Sequence, residues 1–177
     1  MQIEAASSDD VFVGEAVPAA PTARRRERAR LVLASGIGMR VACWTMHPER
    51  YPGVTFTPLD DLYAQSDVVS VHLRLSPATR HFLGADQLAR MKPSAILINT
   101  ARGAIVDEDA LLNALQSGRI AGAGLDVFTE EPLPPGAPIF DAPNVVISPH
   151  CAGITPEALE AGLSMAVANV RTFFHAT

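Results

Sequence analysis

The chain has 177 residues, 48% of them apolar and 19% charged, which is enough apolar material for a packed core and excludes disorder over most of the length. No run approaches the roughly 18 apolar residues that a membrane span needs. A net charge of −5 and a pI of about 5.5 argue against nucleic-acid binding as the main role.

The first residues, Met1-Gln2-Ile3-Glu4, have neither the basic start nor the apolar stretch of a signal peptide. Met1 to Asp10 is small and polar, and Val17 to Pro21 is an Ala/Pro linker. Arg24, Arg25, Arg26, Arg28 and Arg30 then place five positive charges in seven residues. The run reads as a solvated helix face or an unselected stretch, with a basic arm as the alternative.

From about Leu31 the pattern becomes regular. Met39–Trp44, Asp67–Leu73, Ala95–Asn99, Ala121–Val127 and Val145–Ser148 are apolar and β-branched on successive positions, as strands buried on both faces are. Helices are predicted between them. Thr57 caps a helix with Pro58 at its first position, over Leu59 to Ala64. Asp107 caps a second, which carries Leu111, Leu112 and Leu115 and stops at Ser117-Gly118. Thr155-Pro156-Glu157 opens the longest, with apolar positions at i, i+3, i+4 spacing from 159 to 174. The loop from Glu130 to Pro143 holds five prolines and one glycine and is stiff. Alternating strands and helices with short links predict an α/β fold with a parallel sheet.

In such sheets ligands bind outside the carboxyl ends of the strands. The residues standing there are Asn99-Thr100-Ala101-Arg102-Gly103, Asp126 followed by Glu130-Glu131-Pro132, and Pro149-His150. An arginine, carboxylates and a histidine thus converge on one rim. A guanidinium grips a carboxylate through two parallel hydrogen bonds. A histidine moves protons near neutral pH, and a carboxylate beside it fixes its orientation and favours its protonated form. The set suits a substrate whose carboxylate adjoins a carbonyl or hydroxyl carbon. Taken singly, Arg102 also reads as a surface ion-pair former and His150 as a satisfied loop histidine.

The spelling of these segments is more specific. Met91 to Asp107 (MKPSAILINTARGAIVD), Gly124 to Pro132 (GLDVFTEEP), Ser148-Pro149-His150, Ser66 to His72 (SDVVSVH) and Thr79-Arg80 closely resemble the D-isomer-specific 2-hydroxyacid dehydrogenases. The likeness runs from about Leu31 to Phe174, several long motifs in the right order. It implies a Rossmann-like sheet with flanking helices and hydride transfer between NAD(P)H and C2 of a 2-oxo acid. In that family Arg102 would hold the substrate carboxylate and carbonyl, His150 would be the general acid/base, and Glu131, which precedes Pro132, the catalytic carboxylate. Asp126 would bind the nicotinamide carboxamide. His72, Thr100, Ala101 and Gly153 would line the cofactor, although Ala152 stands where many relatives have glycine.

The pattern breaks at the start. A dinucleotide fold needs strand, Gly-x-Gly-x-x-Gly, then helix, but Gly36-Ile37-Gly38 lacks the third glycine and precedes a strand. It reads as a helix stop. The first strand and its glycine loop are therefore expected to be missing or replaced, leaving apolar strand edges exposed. Val11–Gly14 is the alternative occupant, set aside because it lies further from Gly38 than the family's spacing. The division expected is residues 1–30 atypical, disordered or non-native; 31–154 a partial dinucleotide-binding domain; and 155–177 a C-terminal helix. A truncated or frame-shifted family member is the corresponding expectation.

The segment Trp44-Thr45-Met46-His47 offers no acid for a ribose and Arg50 follows, so the cofactor is NAD with NADP as the alternative. Cys43 reads as a small core residue, and Cys151 has nothing to activate it as a nucleophile. The cysteines support neither a disulfide framework nor a four-thiolate zinc site, and the histidines show no metal-ligand spacing. The expected partner is a small 2-hydroxy or 2-oxo acid, in a cytoplasmic setting without membrane or nucleic acid. The last helix, which in full-length relatives packs across to the substrate domain, would here be partly exposed or form a homodimer. The competing readings are an inactive dinucleotide-binding or interaction module and a gene remnant of the same family.

Overall fold

The computed structural model describes residues 10–14, 34, 36–45 and 56–175. Its strands are β1 (Asp10–Gly14), β2 (Arg40–Trp44), β3 (Val68–Val71), β4 (Ile96–Asn99), β5 (Gly122–Leu125) and β6 (Val145–Ile147). They form one six-stranded sheet in the order β2-β1-β3-β4-β5-β6, and every neighbouring pair is parallel. The α-helices are α1 (Leu59–Gln65), α2 (Ala85–Arg90), α3 (Glu108–Gln116) and α4 (Pro156–His175). Two 3₁₀ turns, Gly103–Ile105 and Pro138–Asp141, follow β4 and β5.

The place expected to lack its strand is filled. β1 lies inside the sheet, pairing Val11 with Val41 and Val13 with Cys43 on one side. On the other side it pairs Val11 with Val68 and Val13 with Ser70. The segment 1–30 is therefore not uniformly outside the fold, and the alternative occupant Val11–Gly14 is the right one. Three good strand formers sit in a row there, and a longer connection to β2 costs little because closure entropy grows only with the logarithm of length. The arginine run, His47 and Arg50 lie outside the described residues. Strand order reverses between β1 and β3, the switch point at which such sheets open a ligand crevice.

Burial corrects a second expectation. β3 and β4 do not bury both faces evenly. Val69, Val71, Leu97 and Asn99 are buried, while Val68, Ser70 and Ile98 are half-buried and Ile96 is exposed. The buried side joins Leu62 and Tyr63 of α1, Leu88 of α2, and Leu111 and Leu115 of α3 in the main core. Cys43, expected inside, is half-buried on β2.

Helix ends follow local chemistry. Asp107 caps α3, its side chain accepting from Ala110 N at 3.0 Å. The helix ends at Ser117, followed by Gly118 at φ +67°, where glycine avoids the left-handed penalty. Thr57 does not cap α1. Pro58 is the flanking residue, without a side-chain cap, and Thr57 N instead donates to Cys43 O at 2.8 Å. Helix α2 has no capping Ser, Thr, Asp or Asn to announce it. Gly84 precedes it, and its N–H is satisfied by Gln87 Oε1 at 3.1 Å. Thr155 Oγ1 accepts from Ala158 N at the start of α4. Leu159, Leu163, Val170, Phe173 and Phe174 of α4 are exposed. No described helix is long and apolar enough to cross a membrane.

A proline in the middle of an interior strand removes a ladder hydrogen bond. Val13→Pro should therefore cost more than about 3 kcal/mol in urea unfolding. A change of a few tenths would place β1 outside the sheet.

Candidate active site

Parallel pairing brings the ends of β4, β5 and β6 to one edge. After β4, the buried Asn99 turns the chain: its Oδ1 accepts from Ala101 N (3.1 Å) and its Nδ2 donates to Arg102 O (3.0 Å). This local side-chain turn presents Arg102, whose exposed guanidinium donates from Nη1 to Ala101 O at 2.6 Å. Gly103 then meets the loop that follows β5. A Cβ built on it would lie 1.9 Å from Phe128 C and 2.2 Å from Phe128 O, so only glycine lets the two loops approach this closely.

The β5 loop is fixed from three sides. Besides Gly103, Thr129 N donates to Glu108 Oε1 in the first turn of α3 (2.6 Å). Phe128 N donates to Glu131 Oε1 (2.8 Å). This leaves Oε2 of Glu131 for His150, whose Nδ1 lies 2.7 Å away. A carboxylate only accepts, so Nδ1 carries the hydrogen of this bond and Nε2 is the nitrogen available for proton transfer. The bond from His150 is the main cause holding Glu131 below the usual carboxylate range. The Phe128 N–H and the charges of His150 and Arg102 add to it, against partial burial. A partly exposed pair of this kind contributes at most about 1 kcal/mol to stability, so its importance lies in orienting the imidazole. Beside it is a cleft of about 310 Å³ walled by Phe128, Leu133, Phe140 and Ile147.

Asp126 is buried at 3% exposure. Burial pushes its carboxyl up, but hydrogen bonds from Ser148, Ala152 and Cys151 outweigh this and hold it below the usual range. Cys151 is exposed and contributes through both its backbone N–H and its side chain.

The predicted residues thus fall into two groups. Glu131 and His150 are in contact, and Arg102 is close enough for its charge to act on Glu131. Thr100 and Ala101 sit half-buried in the turn after β4. His72 is buried just past β3, with Nε2 2.8 Å from Ser70 Oγ. Gly153 is exposed, its carbonyl accepting from Thr155 N. Asn99, Gly103, Glu108 and Ser148 position these groups and were not singled out from the sequence. An Asn at a strand end was a legible turn signal, whereas the other three depend on contacts between distant segments.

The sequence profile of the D-isomer specific 2-hydroxyacid dehydrogenase NAD binding domain matches residues 27–152. The chain belongs to the D-isomer specific 2-hydroxyacid dehydrogenase family. It is 44% identical over 144 residues to a glyoxylate reductase of Korarchaeum cryptofilum, covering 79% of this chain and 43% of that protein. A D-isomer specific 2-hydroxyacid dehydrogenase from Lactobacillus delbrueckii ssp. bulgaricus, in its NAD complexed form, superposes with a TM-score of 0.79 at 32% identity. That match covers 94% of this chain and 53% of the other. An acyclic imino acid reductase in complex with NADPH and D-Arg gives 0.81 at 28% identity, covering 96% and 52%. The chain spans about half the length of these proteins.

Two predictions follow from this geometry. Gly103→Ala should destabilise the fold by more than about 2 kcal/mol in urea unfolding, because backbone, rather than a flexible side chain, blocks the added methyl. A near-neutral result would show that the two loops are not in contact. Glu131 has a lowered folded value, so its contribution is present above its unfolded pKa of about 4.3 and is lost as the pH falls through the folded value. Stability measured from about pH 5 down to about pH 3 should therefore fall less steeply in Glu131→Gln than in the parent. Identical slopes would show that the His150 bond is not formed in solution.

Proposed function

We propose that the chain supplies the cofactor-binding and proton-transfer part of an NAD(P)-dependent oxidoreductase that interconverts a 2-hydroxy acid and a 2-oxo acid. The observation that carries this reading is the 2.7 Å bond between His150 Nδ1 and Glu131, at the strand ends that also carry Arg102, in a chain of this family.

The donor set fits a nicotinamide beside a small acid. His72, Thr100, Ala101 and Gly153 lie on the segments that follow β3, β4 and β6, where a parallel sheet takes its ligand. A bound nicotinamide supplies the hydride. Arg102 holds the substrate carboxylate bidentately and polarises the adjoining carbonyl. His150 gives a proton from Nε2 to the carbonyl oxygen on reduction and takes it back on oxidation. Glu131 keeps the imidazole in the tautomer and orientation this needs. β2 ends at Trp44, stacked on Phe82 at 5.2 Å, and Thr45 follows. Neither of these two described residues offers a carboxylate for a ribose hydroxyl, so NADP is the alternative to NAD. Glyoxylate and hydroxypyruvate are the first substrates to try.

A second reading, a chain of the same fold that has lost turnover, is favoured by one feature. The sequence after Gly14 carries no Gly-x-Gly-x-x-Gly. Titration of the full chain with NADH and NADPH, followed by fluorescence, addresses both readings. Saturable binding is expected, then oxidation of the bound form by a 2-oxo acid, read at the nicotinamide absorbance. His150→Gln and Arg102→Ala should each lower turnover at least about 100-fold while leaving binding intact. Binding without turnover selects the second reading, and folded protein that binds neither cofactor overturns the first.

A further inference from the structure

His150 lies in a stretch with unusual backbone. It is a non-glycine residue at φ +51°, a left-handed conformation uncommon outside glycine, although histidine adopts it more readily than most, and one that contacts around it help to hold. Its N–H folds back onto Ser148 O at 3.1 Å. Its side chain is half-exposed, so packing does not hold it there.

The surroundings that could hold it converge on one group. Asp126 Oδ1 accepts from Ser148 Oγ at 2.5 Å and from Cys151 N at 2.8 Å, and its Oδ2 accepts from Ala152 N at 2.8 Å. Ser148 precedes His150, and Cys151 and Ala152 follow it. Two successive N–H groups aimed at one anion form a small concavity of fixed shape. Asp126 is itself buried and anchored: it follows β5, and its N–H donates to Asn99 O at 3.0 Å.

We propose that Asp126 is a positioning residue for His150, whose carboxylate clamps the chain on both sides of the histidine and so aims Nδ1 at Glu131. This rests on reading His150 as the proton-transfer residue and gives Asp126 a role apart from any contact with cofactor. An asparagine of the same shape cannot replace it. Three donors meet both oxygens, and an amide NH₂ would face at least one of them.

The test reads the imidazole directly. Full-length chain carrying ¹⁵N in its histidine rings is studied by NMR, with His150 assigned from the signal lost in His150→Gln. The parent should show a downfield Nδ1–H that exchanges slowly with water. In Asp126→Asn that proton should exchange at least about tenfold faster or vanish, in protein that still unfolds cooperatively. Leu111→Ala, a core truncation in α3, should lower stability and leave the signal in place, which separates positioning from general support of the fold. A folded Asp126→Asn with unchanged Nδ1–H exchange overturns the proposal. If that variant does not fold, Ser148→Ala decides. Loss of one of the three donors should measurably speed exchange, and an unchanged rate overturns the clamp. Neither turnover nor cofactor binding enters the readout, so failure of the oxidoreductase reading and failure of the clamp are told apart.

Discussion

Parallel pairing is the constraint on which the rest of this molecule depends. Parallel strands need crossover connections, so each strand sends its carboxyl end to the same edge, and whatever follows a strand is delivered there. Arg102 follows β4, Asp126 and Glu131 follow β5, and His150 follows β6. Arg102, Glu131 and His150 each come from a different loop. They meet because β4, β5 and β6 are consecutive neighbours in register, Asn99 beside Leu125 and Leu125 beside Ile147. A slip of one residue would separate them.

Within that frame the site is built chiefly from short polar contacts between backbone and side chain. Asn99 shapes the Arg102 turn, Glu108 and Gly103 set the height of the β5 loop, and Asp126 takes up the donors around His150. Each bond to a charged acceptor is worth on the order of 1.5–3 kcal/mol at most, comparable to the strain of a non-glycine residue at positive φ. The arrangement is therefore one in which local strain is offset close to where it arises. Arg102, Glu131 and His150 stay exposed, while Asn99 and Asp126, which hydrogen-bond the backbone around Arg102 and His150, are buried.

Among the described residues the helices are unevenly buried. Helices α1, α2 and α3 share one core with the strands, whereas α4 keeps its apolar residues exposed. The chain spans about half the length of the family members it matches. Those relatives are chains about twice as long, and what this chain holds is the sheet edge where Arg102, Glu131 and His150 stand.

The sequence alone determined the α/β class, five of the six strands, the Asp107 cap and the family. These follow from local propensity and from motifs contiguous in the chain. The strand-end rule pointed to Arg102, His150 and a carboxylate, and the resemblance to the family's motif picked Glu131, the residue before Pro132. The sequence did not decide β1, since a five-residue strand separated from its motif is outweighed by the composition around it. It did not reveal α2, which lacks a capping side chain. Only the tertiary structure decided that Glu131 Oε2 meets His150 Nδ1, that Gly103 touches Phe128, and that Asp126 grips Ser148, Cys151 and Ala152. Those contacts join residues 19 to 26 positions apart along the chain. Such pairs carry no local signature, because their geometry is set by the packing of the whole sheet.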